Sequence, residues 1–152
     1  MDSTMEGKKE TPDDQLTKAD YQAQAEFRYA LRQFLRFSEE TTRAVGMTTQ
    51  KYQALLAIKG FPDREFITIG ELAERLQVKH HSAVGLVDRL VQKGLVRRAA
   101  GEKDRRQVYV HLTPQGEDLI EQLVLSHRKE LSGLWPSLKM PAQRHSKADK
   151  SE

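Results

Sequence analysis

Residues 67–120 read ITIGELAERLQVKHHSAVGLVDRLVQKGLVRRAAGEKDRRQVYVHLTPQGEDLI, and the hydrophobic period changes twice along them. Thr68 and Glu71 have capping-box spacing, in which hydroxyl and carboxylate satisfy each other's free amides. A short helix carrying Leu72, Ala73 and Leu76 follows, then a break at Gln77-Val78. A second helical pattern runs from about His80 to Lys93, with Ala83, Leu86, Val87 and Leu90 on one face. Gly94 ends it, and the period drops from 3.6 to 2. Leu95–Ala99 can form a strand, residues 100–103 a turn, and Gln107–Leu112 a second strand with Val108, Val110 and Leu112 on one side. Thr113-Pro114 then reads as an N-cap followed by the residue favoured at the first helical position.

Outward from this stretch the pattern is helical on both sides. Downstream, Leu119, Ile120, Leu123, Val124, His127, Leu131 and Leu134 form one stripe. Upstream, Thr48 caps a helix with Tyr52, Leu55, Leu56 and Ile58 that closes at Gly60 and Pro62. Before it, about 19–44 carries Phe27, Ala30, Leu31, Phe34, Leu35 and Phe37, and ends at Gly46. Residues 1–18 and 136–152 are polar and charged and read as a disordered tail and a polar C-terminal tail. The fold class expected is therefore mainly α with a small two-stranded β wing, a winged helix-turn-helix flanked by long helices.

The chain has 152 residues, 38% of them apolar and 31% charged, which is about one domain. No apolar run approaches the ~20 residues a membrane helix needs, and MDSTMEGKKETPDD offers no signal peptide, so a cytoplasmic protein is expected. The absence of cysteine excludes disulfides, thiolate metal sites and thiol nucleophiles. His80 and His81 project about 100° apart and cannot share a metal as an i, i+4 pair could. His111, His127 and His145 lack ligand spacing, and no phosphate-binding loop, nucleophile elbow or carboxylate pair is present. No enzyme activity, cofactor or metal site is expected.

Charge is informative through its placement. Residues 79–106 hold eight cations (Lys79, Arg89, Lys93, Arg97, Arg98, Lys103, Arg105 and Arg106) against Asp88, Glu102 and Asp104, a surplus of five in a chain whose net charge is +3. Short helix, tight turn and second helix make an arrangement whose second helix enters a major groove about 12 Å wide. A hairpin with a cationic tip beside it can reach phosphates or the neighbouring minor groove.

The stretch resembles the winged-helix core of the MarR family of bacterial transcription regulators. The resemblance rests on Glu71-Leu72-Ala73, Asp88-Arg89-Leu90, Lys93-Gly94-Leu95-Val96-x-Arg98, Asp104-Arg105-Arg106 and Leu112-Thr113-x-x-Gly116, with Met47-Thr48-Thr49-Gln50-Lys51-Tyr52 upstream. It implies a domain at 19–135, with a DNA-binding winged helix at about 48–112 and dimerisation helices at about 19–44 and 114–135. The helix from His80 becomes the recognition helix, presenting Lys79, His80, His81, Ser82, Gly85 and Arg89 to double-stranded DNA. Arg106 matches the wing arginine that enters the minor groove. Asp104 matches a wing aspartate expected to hold Arg89 or Arg98, and Lys103, Arg105 and Arg97 become phosphate-contact candidates. Two positions depart from the pattern: Lys79 stands where an N-cap Ser or Thr is usual, and Gly85 serves either a close approach to DNA or a packing contact.

A homodimer on a pseudo-palindromic operator, acting as a repressor, is what the resemblance implies. It also implies a small-molecule effector pocket between dimerisation helices and DNA-binding lobe, for which Phe27, Phe34 and Tyr52 are candidates, ordinary core being the alternative for these aromatics. The competing function is a winged-helix protein-interaction module whose basic face meets an acidic partner.

Overall fold

The computed structural model describes residues 15–134. The element order is α1 (Lys18–Ala44), α2 (Thr49–Lys59), β1 (Phe66–Thr68), α3 (Ile69–Leu76), α4 (His80–Gln92), β2 (Val96–Ala100), β3 (Val108–Leu112) and α5 (Pro114–Leu134). The helices and the wing hairpin fall where periodicity and caps place them. The wing is the expected two-stranded hairpin, and a third short strand that the sequence did not announce joins it, giving an antiparallel sheet in the order β1-β3-β2. Ile67 pairs with Val110 and Arg98 pairs with Val110 from the other side. The tail expectations for 1–14 and 136–152, and the end of the last helix at 135, lie outside the described residues.

The core is apolar and sits where α2, α3, α4, the sheet and the first half of α5 meet. Leu55 and Ile58, Ile67, Leu72, Leu86, Val87 and Leu90, Val110, Ile120 and Leu123 are all fully buried. Burying each such side chain stabilises the fold by roughly 1.5–3 kcal/mol before chain entropy is subtracted. Helix α1 contributes differently. Its 27 residues span about 40 Å, yet the residues it buries are Ser38 and Thr42, near its C-terminal end.

Three helix ends are closed by the same device, a paired 6→1 and 5→2 hydrogen bond around a left-handed residue. At the end of α4, Gly94 (φ +70°) lets Leu95 N donate to Leu90 O at 3.0 Å and Gly94 N to Val91 O at 2.9 Å. Between α3 and α4 the left-handed position is Gln77 (φ 53°), a residue without glycine's freedom. Its side-chain Nε2 donates to Glu74 O at 2.7 Å, which offsets part of that backbone cost. The tight turn between the two helices of the motif is thus held from both main chain and side chain.

The start of α3 is pinned from the loop before β1. Thr68 and Glu71 form the reciprocal capping box, with Glu71 N to Thr68 Oγ1 at 3.2 Å and Thr68 N to Glu71 Oε1 at 3.1 Å. Glu71 also pairs with Arg64. The Arg64 guanidinium lies over Phe61 at 4.2 Å and Phe66 at 4.6 Å, and Phe66 stacks on Tyr109 at 4.0 Å. A continuous stack therefore ties α3 to the sheet.

Candidate nucleic-acid interface

Helix α4 turns Ala83, Leu86, Val87 and Leu90 into the core and leaves its other side to solvent. Lys79, His80, His81 and Arg89 are exposed there, while Ser82 and Gly85 are half-buried. Lys79 is the N-cap residue, and no side chain caps the helix. Its first-turn amides are left to other acceptors, and the helix N-terminus favours an anion. A Cβ built on Gly85 would meet only Arg89 Nη1, at 3.4 Å. Among the described residues no neighbouring helix comes within 4 Å of that position.

The hairpin settles strand phase. Arg98 pairs with Val110 on the face turned toward the helices, and its guanidinium forms an ion pair with Asp88 of α4. That bond ties the wing to α4. Arg97 pairs with His111 on the opposite face of the sheet. Burial, then the nearby Arg97 charge, holds the His111 imidazole below its ordinary range. Arg97 is therefore separated from α4 by the thickness of the sheet, whereas Lys103, Arg105 and Arg106 are exposed on the loop at the hairpin's tip.

That loop is organised around Asp104. Its Oδ1 accepts from Arg106 N at 3.0 Å and from Arg106 Nε at 3.3 Å. Gln107 N donates to Asp104 O at 3.0 Å, and Gly101 N to Gln107 O at 2.9 Å. The expected partners of Asp104, Arg89 and Arg98, are not the ones it holds: the wing aspartate orients Arg106, and Arg98 belongs to Asp88. The reason is reach, since an aspartate two residues from an arginine within one turn finds its amide and guanidinium first. The Arg106 side chain remains 92% exposed while so held. Gly101 is buried against this turn, and any Cβ there would collide with the Asp104 carbonyl. Asp88 and Gly101 are the site residues that sequence reasoning passed over; Gly101, between a strand and a charged turn, carried the visible signal.

The candidate effector residues meet a different arrangement. Tyr52 is buried and stacks on the His127 imidazole at 4.6 Å with an interplanar angle of 18°. Phe34 meets the same imidazole edge-on at 6.1 Å. Phe27 is half-buried two turns further along α1. A small open cleft of about 180 Å³ lies between α1 and α5, lined by Ala30, Gln33, Phe34, Glu130, Gly133 and Leu134. Of the three candidates Phe34 alone lines it.

Comparison with known proteins agrees with this geometry. Residues 45–107 match the MarR family model. The HTH-type transcriptional repressor MdtR of Bacillus subtilis is 33% identical over 92 residues, 60% of this chain and 57% of MdtR. The chain spans about half the length of the curated relatives it matches. Among solved structures, AbsC, a MarR family transcriptional regulator from Streptomyces coelicolor, superposes with a TM-score of 0.67 at 20% identity, over 84% of this chain and 85% of AbsC. A mutant of Escherichia coli MarR complexed with operator DNA superposes with a TM-score of 0.61 at 27% identity, over 70% of this chain and 75% of that one.

Proposed function

We propose, from the match of residues 45–107 to the MarR family model, that the protein is a homodimeric transcription regulator of that family that binds a pseudo-palindromic operator and represses by occluding a promoter. The observation that carries this reading is that the exposed side of α4 and the cationic wing are joined by an ion pair. The pair is Asp88–Arg98, and Arg106 is held ready by Asp104. Counterion release by Lys103, Arg105 and neighbouring cations supplies affinity, and α4 with the wing supplies sequence preference.

Dimerisation is supported by what the single chain leaves uncovered. Tyr21, Tyr29 and Leu35 on α1 and Leu125 and Leu131 on α5 are exposed. Large apolar side chains left exposed on both long helices are what a helix-to-helix contact with a second copy would cover. Two recognition helices would then address half-sites one helical turn, ~34 Å, apart. The repressor role is supported by the description of MdtR as a repressor, and no catalytic role is assigned. Among the described residues no helix is long and apolar enough to cross a membrane, in keeping with a regulator that meets DNA in the cytoplasm. A small-molecule effector would enter beside Phe34 or displace His127 from Tyr52.

The test is a mobility shift with random duplex and with DNA flanking the protein's own gene, at several salt concentrations. Salt-sensitive binding with preference for one flanking sequence is expected. No binding to any duplex at low salt would instead favour a protein-interaction module.

A further inference from the structure

The described residues bury three polar side chains, Ser38, Thr42 and His127, and the DNA-binding reading uses none of them. His127 lies on α5 and is fully buried. Its Nδ1 is 2.7 Å from Leu123 O, an acceptor, so Nδ1 carries the hydrogen. Nε2 is 2.9 Å from Ser38 Oγ of α1, 89 positions away, so the other ring nitrogen is hydrogen-bonded across to the first helix. Thr42 Oγ1 donates to Ser38 O at 2.9 Å, anchoring the same turn of α1. The ring's faces and edges are occupied too: Tyr52 of α2 stacks on it, and Phe37 meets it edge-on at 5.6 Å.

A leucine here would fill the space without the desolvation cost of an imidazole. What the imidazole adds is a directional bond, satisfied at a single rotation and height of α5 on α1. That setting reaches the recognition helix through the other end of α5. Thr113 Oγ1 donates to Gly94 O at 2.6 Å, and Thr113 N to Leu95 O at 3.0 Å. Gly116 is packed so closely on the Leu95 carbonyl that a Cβ would overlap it. Gly94 and Leu95 are the residues that close α4. About 16 Å of rigid helix separates Gly116 from His127.

We propose that His127 is a positioning residue, an imidazole cross-link of α1, α2 and α5 that sets the recognition helix relative to the α1–α5 pair. This rests on the dimeric operator-binding reading, because fixed spacing matters when two recognition helices must engage one duplex together. Binding to random DNA by one lobe is indifferent to it.

The experiment uses the full chain with Ser38→Ala and His127→Phe, singly and combined. Two quantities are read: the preference for operator over random duplex, and the distance distribution between spin labels on the two copies of Gln92→Cys, a clean label in a chain without cysteine. Each single variant is expected to lose about ten-fold in preference with random-duplex affinity unchanged, to broaden the label distances, and to be no better than the double variant, as members of one bond should. If His127→Phe fails to fold, Ser38→Ala alone decides. Variants that melt earlier but keep the wild-type preference and a narrow distance distribution overturn the proposal, leaving His127 as core. A wild-type chain with no preference for any operator overturns the functional reading beneath it, a separate result.

Discussion

Asp104 accepts from both the amide and the Nε of Arg106, so its carboxylate works by aiming a cation. Arg106→Ala is expected to cost about 1–3 kcal/mol of operator binding, or to lower the salt slope by about one if the contact is to phosphate. Asp104→Ala is expected to weaken operator binding as well, although it makes the wing more positive; tighter binding in an anisotropy titration would show that net charge governs. Gly85 gives a prediction of opposite sign for stability and function. With only the flexible end of Arg89 near its missing Cβ, Gly85→Ala should stabilise the fold by about 0.5–1 kcal/mol in urea unfolding. The same methyl holds the helix backbone off the groove, so operator affinity should fall. Unchanged affinity would remove Gly85 from the interface.

Helix α4 begins on a lysine whose side chain caps nothing, and an element with a free N-terminal turn trades stability for anion affinity. Lys79→Asp should raise stability by about 1 kcal/mol through capping and weaken duplex binding at every salt concentration, both readable on one preparation. At the other junction, Gly116→Ala drives a Cβ into the Leu95 carbonyl. A loss of about 2 kcal/mol or more is expected in thermal or urea unfolding, since backbone on both sides must yield. These elements differ in how plainly the chain announces them. Helices α1 to α4 were legible because each repeats apolar positions at helical spacing and is bounded by a cap or a glycine, and α5 announces its start at Thr113-Pro114. Strand β1 was not: it has three residues, its Thr68 also serves as the cap of α3, and its partner Val110 lies 43 positions after Ile67. The wing's charge was legible while its wiring was not. Asp88 finds Arg98 through the relative placement of helix and strand, which no local period encodes. Asp104 instead finds Arg106 two residues on within a single turn, a local pairing that the expected reach to Arg89 or Arg98 passed over. The bond from His127 to Ser38 is the extreme case, a stripe position whose partner is set by tertiary packing alone.

Two long helices with exposed Tyr21, Tyr29, Leu35, Leu125 and Leu131 define what the single chain leaves unfinished. Their apolar side chains play no part in the lobe's core, which closes through α2–α4, the sheet and the start of α5. Substitution there should therefore separate assembly from folding. Leu125→Lys combined with Leu131→Lys places two charges on a surface already open to solvent, so helicity and the unfolding midpoint of the lobe should stay near wild type. Assembly should not survive: the wild-type chain of 17.4 kDa is expected to sediment as a dimer and the variant as a monomer. Operator affinity should then fall by 10²–10⁴, roughly the advantage of engaging a second half-site from the same particle. Affinity for random duplex at low salt should change little, because the α4–wing unit that makes those contacts is intact. A variant that sediments as a monomer yet keeps operator affinity would mean that one lobe carries recognition alone, and the two-fold arrangement of half-sites would have to be abandoned.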